Sequence, residues 1–154
     1  SMIGLRRIYI ATAQFILVEN KYAHQLDSKA EKIATNELDQ KFIEQATQVV
    51  EDNMENPEFS VDTFSREMGV GRTVLFQKIK GITGSTPNNF IMNLRLKKAA
   101  YFLLNAPEMN ISDIAYRLGF GNPQYFNKCF KELFDIAPTQ YRKSHDAPSD
   151  PSVK

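Results

Sequence analysis

Histidine and cysteine are almost missing from this sequence, which holds two of the first and one of the second in 154 residues. His24 and His145 have no Cys or Asp partners at metal-ligand spacing. No phosphate-cradling glycine loop and no nucleophile–base pair appears either, so neither an enzyme nor a cofactor is expected. A single thiol, Cys129, rules out a disulfide framework within the chain. The natural setting is a reducing compartment, the cytoplasm. Cys129 falls on an apolar helical face, where a buried structural thiol is expected rather than a nucleophile. Long hydrophobic runs are also missing. The longest, Ile8 to Val18, spans about half the ~20 residues needed to cross a bilayer. It has no small-residue cleavage site behind it, which argues against a secretory signal.

Net charge is small, a formal +1 from 19 Lys and Arg against 18 Asp and Glu, but the distribution is uneven. Residues 1–58 carry a net −4, residues 59–145 a net +6, and residues 146–154 a net −1. The basic part is one contiguous block, as expected of a domain that meets phosphates.

Apolar spacing is helical throughout, and the expected fold class is all-α. In residues 1–36, Tyr22, Ala23, Leu26, Ala30, Ile33 and Ala34 recur at weak helical spacing, predicting one or two helical segments. Asn36 is placed to cap a stronger helix whose stripe is Leu38, Phe42, Ile43, Ala46, Val49 and Val50. That helix is expected to stop at Asn53–Pro57. Residues 1–36 then form a linker arm, residues 37–145 the main domain, and residues 146–154, with two Pro, two Ser and two Asp, a disordered tail.

An internal repeat organises the main domain. Ser60-Val-Asp-Thr-Phe-Ser-Arg-Glu-Met-Gly-Val-Gly71 matches Asn110-Ile-Ser-Asp-Ile-Ala-Tyr-Arg-Leu-Gly-Phe-Gly121 at an offset of 50. After one inserted residue the offset is 51, pairing Leu75 with Phe126, Ile79 with Phe130, Lys80 with Lys131 and Pro87 with Pro138. Each copy, 60–87 and 110–138, reads as helix, tight turn, helix. Ser60 and Asn110 are N-caps. Gly69 and Gly119 supply the positive φ that ends the first helix. The second helix starts near Gly71 in one copy and at Asn122-Pro123 in the other. Between the copies, Thr86-Pro87 opens a longer helix carrying Phe90, Ile91, Leu94, Leu96, Ala99, Ala100, Leu103 and Leu104. Its length, roughly 27 Å, is near the ~34 Å between major-groove faces one DNA turn apart.

The second helix of each copy has two faces. In the later copy Phe126, Cys129, Phe130 and Leu133 are apolar, while Gln124, Asn127, Lys128 and Lys131 share a polar face at i, i+3, i+4 and i+7. Gln and Asn form paired hydrogen bonds with adenine, and Lys reaches guanine or phosphate. The matching positions in the earlier copy are Thr73, Phe76, Gln77 and Lys80, with Arg72 at the helix start. Phe76 stands where a polar residue is expected, either meeting a thymine methyl or packing. Tyr125 suits a phosphate contact or partial burial. A solvated bundle face would explain one such pattern, but its recurrence at matched positions favours a binding role.

The stretch Arg117-Leu-Gly-Phe-Gly-Asn-Pro-Gln-Tyr-Phe-Asn-Lys-Cys-Phe-Lys131, followed by Phe134-Asp-Ile-Ala-Pro-Thr-Gln-Tyr-Arg142, resembles the signature of the AraC/XylS family of transcription regulators. Arg95-Leu96, Ala99-Ala100 and Leu103-Leu104 are similar to the family's linking helix. The likeness covers residues 41–143. It implies seven helices, two helix-turn-helix modules joined by one long helix, and control of transcription through specific double-stranded DNA. It makes Arg72, Thr73, Phe76, Gln77, Gln124, Asn127 and Lys128 base contacts, and Lys80, Lys131 and Arg142 phosphate contacts. Leu38-Asp39-Gln40-Lys41-Phe42, leading into Val49-Val50-Glu51-Asp52-Asn53-Met54, is similar to the approach to output domains of hybrid two-component regulators. That likeness implies an upstream receiver domain in a parent protein, which could itself be membrane-anchored. RNA polymerase and a homodimer through the N-terminal arm complete the expected partners. The competing reading is a protein-interaction module on the same scaffold. It would suit acidic recognition faces, whereas these carry Lys, Gln, Asn and Thr.

Overall fold

Nothing in residues 29–53 breaks a helix, since the segment has no proline and no glycine. In the computed structural model, which describes residues 29–145, it forms one continuous 25-residue helix, α1 (Lys29–Asn53). Asn36 is therefore interior to α1 and is not a cap, because its neighbours on both sides keep helical geometry. The inner stripe of α1 is Ile43, Ala46 and Val50, all fully buried. Leu38, expected in that stripe, is 67% exposed. Thr47 takes an inward place instead and satisfies its hydroxyl on the Ile43 carbonyl at 2.7 Å. The apolar run Ile8–Val18 and the 146–154 tail lie outside the described residues.

Six further helices follow: α2 (Val61–Met68), α3 (Arg72–Thr83), α4 (Pro87–Asn105), α5 (Ile111–Arg117), α6 (Pro123–Phe134) and α7 (Pro138–His145). No strand occurs among the described residues, so the fold is all-α. The chain divides into two compact units, one of residues 29–53 with 59–94, the other of residues 54–58 with 95–145. The 19-residue α4 runs from one into the other.

The repeat is reproduced at the level of single hydrogen bonds. Ser60 Oγ accepts from the Thr63 N–H and Asn110 Oδ1 from the Asp113 N–H, capping α2 and α5. Both helices end in the same two-bond stop. The Val70 N–H donates to the Ser65 carbonyl and the Gly69 N–H to the Arg66 carbonyl. The Phe120 N–H to Ala115 and the Gly119 N–H to Tyr116 repeat the pattern 50 residues on. Gly69 at φ +71° and Gly119 at φ +84° occupy the left-handed region that this stop requires. The ends of α3 and α6 also correspond. Gly84 (φ +78°) and Asp135 (φ +69°) donate to the carbonyls of Lys80 and Lys131. Aspartate is among the few side chains that tolerate this conformation.

Each unit has its own core. In the first, Phe64 lies between Phe59 and Phe90, with ring centroids 5.8 and 6.1 Å away, beside buried Leu75, Ile79 and Ile82. In the second, Phe120, Phe126, Phe130 and Phe134 form a run of ring contacts at 4.5–5.8 Å, with Tyr141 edge-on to Phe130. Leu133, expected on this apolar face, is 36% exposed, and Leu104 of α4 is likewise outside the core.

Candidate nucleic-acid interface

The second helix of each module is fixed to its core by a short apolar strip, and this decides what the opposite strip presents. Leu75, Ile79, Ile82 and Thr83 bury one side of α3, and Phe126, Cys129 and Phe130 bury one side of α6. At 100° per residue, positions 72, 73, 76, 77 and 80 fall together on another side of α3, and 123, 124, 127, 128 and 131 repeat that strip on α6. Arg72, Thr73, Phe76, Gln77 and Lys80 are all exposed. So are Gln124, Asn127, Lys128 and Lys131.

The start of α6 is tightly defined. Asn122 Oδ1 accepts from the Tyr125 N–H at 2.7 Å, and Pro123 occupies the first helical position, where no N–H is needed. α3 begins at Gly71 without a side-chain cap. Arg72 instead pairs with Asp62 of α2, Nε to Oδ1 at 3.0 Å. Both partners are well exposed, so the pair orients Arg72 more than it stabilises the fold. Arg72, Thr73, Phe76 and Gln77 line an open concavity of about 610 Å³ together with Val61, Thr86, Pro87 and Asn88. The concavity holds the four expected base contacts of the first module together on one surface.

The expected phosphate contacts divide differently. Lys131 is an exposed cation one helical turn beyond Asn127 and Lys128. Lys80 is exposed as well, and one of its ammonium protons reaches the Gly84 carbonyl at 3.0 Å, leaving two donors for other acceptors. Arg142 is half-buried and bonded within the fold. Its guanidinium donates to the carbonyls of Leu103 (3.0 Å), Met109 (2.8 Å) and Ala106 (3.2 Å). The Leu103 carbonyl lies in the last turn of α4, where the helix supplies no partner, while the Ala106 carbonyl also accepts from the Met109 N–H at 3.0 Å. Arg142 fastens the α4–α5 turn with three of its five N–H groups, and two remain for other acceptors.

Two more arginines have roles that local spacing could not reveal. Arg95 of α4 donates to the Met54 and Asn56 carbonyls at 3.2 and 2.9 Å, and burial lowers its pKa. Arg117 pairs with Glu55 and places its guanidinium 5.1 Å from the Phe102 ring centroid. Together they hold residues 54–58 in the second unit. Tyr125, whose partial burial was one expectation, is 46% exposed. Its phenol pKa is raised, chiefly by the neighbouring Cys129 and less by burial and the Glu132 carboxylate. Cys129 itself is buried, as an apolar-face thiol should be.

Comparison with known proteins gives this geometry a family. A family model described as a helix-turn-helix domain matches residues 64–144, just over half of the chain. The chain is 43% identical over 125 residues to "Histidine kinase P4" of Formosa agariphila, a match covering 81% of this chain but only 9% of that protein. It is 30% identical over 128 residues to an uncharacterized HTH-type transcriptional regulator of Pseudoalteromonas carrageenovora, covering 83% of this chain and 73% of that one. Among solved structures, it superimposes with a TM-score of 0.66 and 28% identity on a transcriptional regulator of Chromobacterium violaceum described as an AraC-type DNA-binding domain protein. That match covers 71% of this chain and 96% of the other. With the capped helix-turn-helix geometry of both modules, these likenesses show that the chain belongs to the AraC/XylS family of DNA-binding transcription regulators.

Proposed function

We propose that one chain reads an asymmetric stretch of duplex DNA, with α3 reading one part of the site and α6 the other. The base-reading set is Arg72, Thr73, Phe76 and Gln77 on α3, and Gln124, Asn127 and Lys128 on α6. Lys80 and Lys131 neutralise phosphates. The observation that carries this reading is the matched, exposed strip on the two second helices, each behind the same glycine stop. The strips are not identical in chemistry, so the two parts of the site should differ in sequence. Selection of bound duplexes from a random library should yield one asymmetric motif, and affinity for it should fall steeply with salt as counterions are released. Recovery of random sequence would remove the specific-binding reading.

In a parent protein this module serves as the output of a two-component phosphorelay. The 43% identity to a protein named as a histidine kinase, of which the chain spans 9%, supports that setting. An upstream receiver domain then supplies the signal. The acidic N-terminal segment serves regulation or self-association, and RNA polymerase is the downstream partner. Attaching the module to its cognate receiver domain and measuring DNA occupancy with and without acetyl phosphate tests this setting. Occupancy that ignores the phosphodonor would contradict it.

A further inference from the structure

Phe76 is the one apolar side chain on the outward strip of α3, where its companions are Arg72, Thr73, Gln77 and Lys80. It is 49% exposed, and its ring makes no ring–ring contact among the described residues. The buried side of α3 is already complete with Leu75, Ile79, Ile82 and Thr83, so the core does not require Phe76. It lines the open concavity with the apolar Val61 and Pro87 and with the polar Arg72, Thr73, Gln77, Thr86 and Asn88. At the matched position α6 carries Asn127, a hydrogen-bonding residue. The two modules therefore differ in kind at this point of the strip.

The major groove presents many donors and acceptors but only one apolar group, the C5-methyl of thymine. A phenyl ring offered to the groove has no hydrogen bond to give, and leaving it against a polar base edge strands the donors and acceptors there. Resting on the reading of α3 as a base-reading helix, we propose that Phe76 makes the first module a detector of a pyrimidine C5-methyl group. The second module reads hydrogen-bonding edges through Gln124 and Asn127. The group detected is the methyl rather than the base, so 5-methylcytosine satisfies Phe76 as thymine does, and the site responds to cytosine methylation.

Thymine scanning of duplexes selected by the 154-residue chain tests this. Each thymine is replaced singly by deoxyuridine, which removes the methyl and nothing else. The half of the site belonging to α3 is the half whose preference survives Gln124→Ala. Within it, one or two thymines should lose about fourfold in affinity on demethylation, the worth of one buried methyl. At the same position 5-methylcytosine should bind about fourfold tighter than cytosine. Phe76→Ala should bind thymine and deoxyuridine alike there, and Phe76→Leu should keep part of the difference. The wild-type scan needs no variant to fold, and the exposure of Phe76 makes both variants tolerable to the core. A selected site insensitive to every demethylation, or a methyl effect of equal size in Phe76→Ala, overturns the methyl reading alone. Failure to select any sequence overturns that reading together with the base-reading role of α3.

Discussion

Residues of the same type do different work in this chain, and the difference lies in what each side chain already bonds. Lys131 is free to meet a phosphate, whereas Arg142 is committed to three carbonyls. Lys131→Ala should weaken binding to all duplexes similarly and flatten the dependence of log affinity on log salt by about one unit. A loss confined to one sequence would move Lys131 to the base-reading set. Arg142→Ala should instead lower folding stability by about 2–3 kcal/mol, because it strands the Leu103 and Met109 carbonyls that a charged donor was satisfying. Arg142→Lys should recover little of this, since an ammonium cannot reproduce a three-way planar fork. Urea titration of both variants decides it, and an unchanged midpoint would return Arg142 to the surface. The sequence could not disclose this role. The acceptors of Arg142 lie 33–39 positions away, outside any local pattern, and its phosphate role was implied by the family resemblance. Leu133 and Leu104 escaped for a related reason. Periodicity identifies an apolar side of a helix but not how far the neighbouring elements reach across it.

Individual elements were the most legible scale, since their ends are set by side chains within a few residues. Ser60, Asn110 and Asn122 cap where they are expected to, and Gly69 and Gly119 stop α2 and α5. Asn36 failed as a cap because a cap signal competes with whatever precedes it, and an unbroken helix-forming stretch precedes Asn36. The two glycine stops share backbone geometry but not surroundings. A Cβ at position 69 would meet open space, whereas one at position 119 would lie 3.2 Å from the Arg95 guanidinium carbon. Gly69→Ala should therefore cost about 1–2 kcal/mol, the price of a left-handed conformation with a Cβ. Gly119→Ala should cost more, because Arg95 must shift and loosen its bonds to the Met54 and Asn56 carbonyls. Equal losses in chemical denaturation would mean that Arg95 adjusts freely.

At the scale of the whole molecule, the repeat made the architecture readable and the N-terminal segment did not. Tandem copies announce two modules and a connecting helix, while the weak stripe of residues 22–34 gave no hint that α1 passes unbroken through Asn36. That continuity means that a cut at Asn36 would fall inside α1. Removing residues 2–28 keeps every described residue and should leave affinity for a single site nearly unchanged, while abolishing any dimer seen by sedimentation. A truncated chain that stays fully dimeric, or that folds but loses single-site binding, would contradict the role assigned to the arm. The central claim, that two unlike helices read two parts of one asymmetric site, has a more direct test. Motifs selected from random DNA by the wild-type chain and by Gln124→Ala should differ. The account predicts that the variant loses preference, by about 1–3 kcal/mol per affected base pair, in one half of the motif and keeps the other half intact. Uniform loss across the motif, or no loss at all, would contradict it.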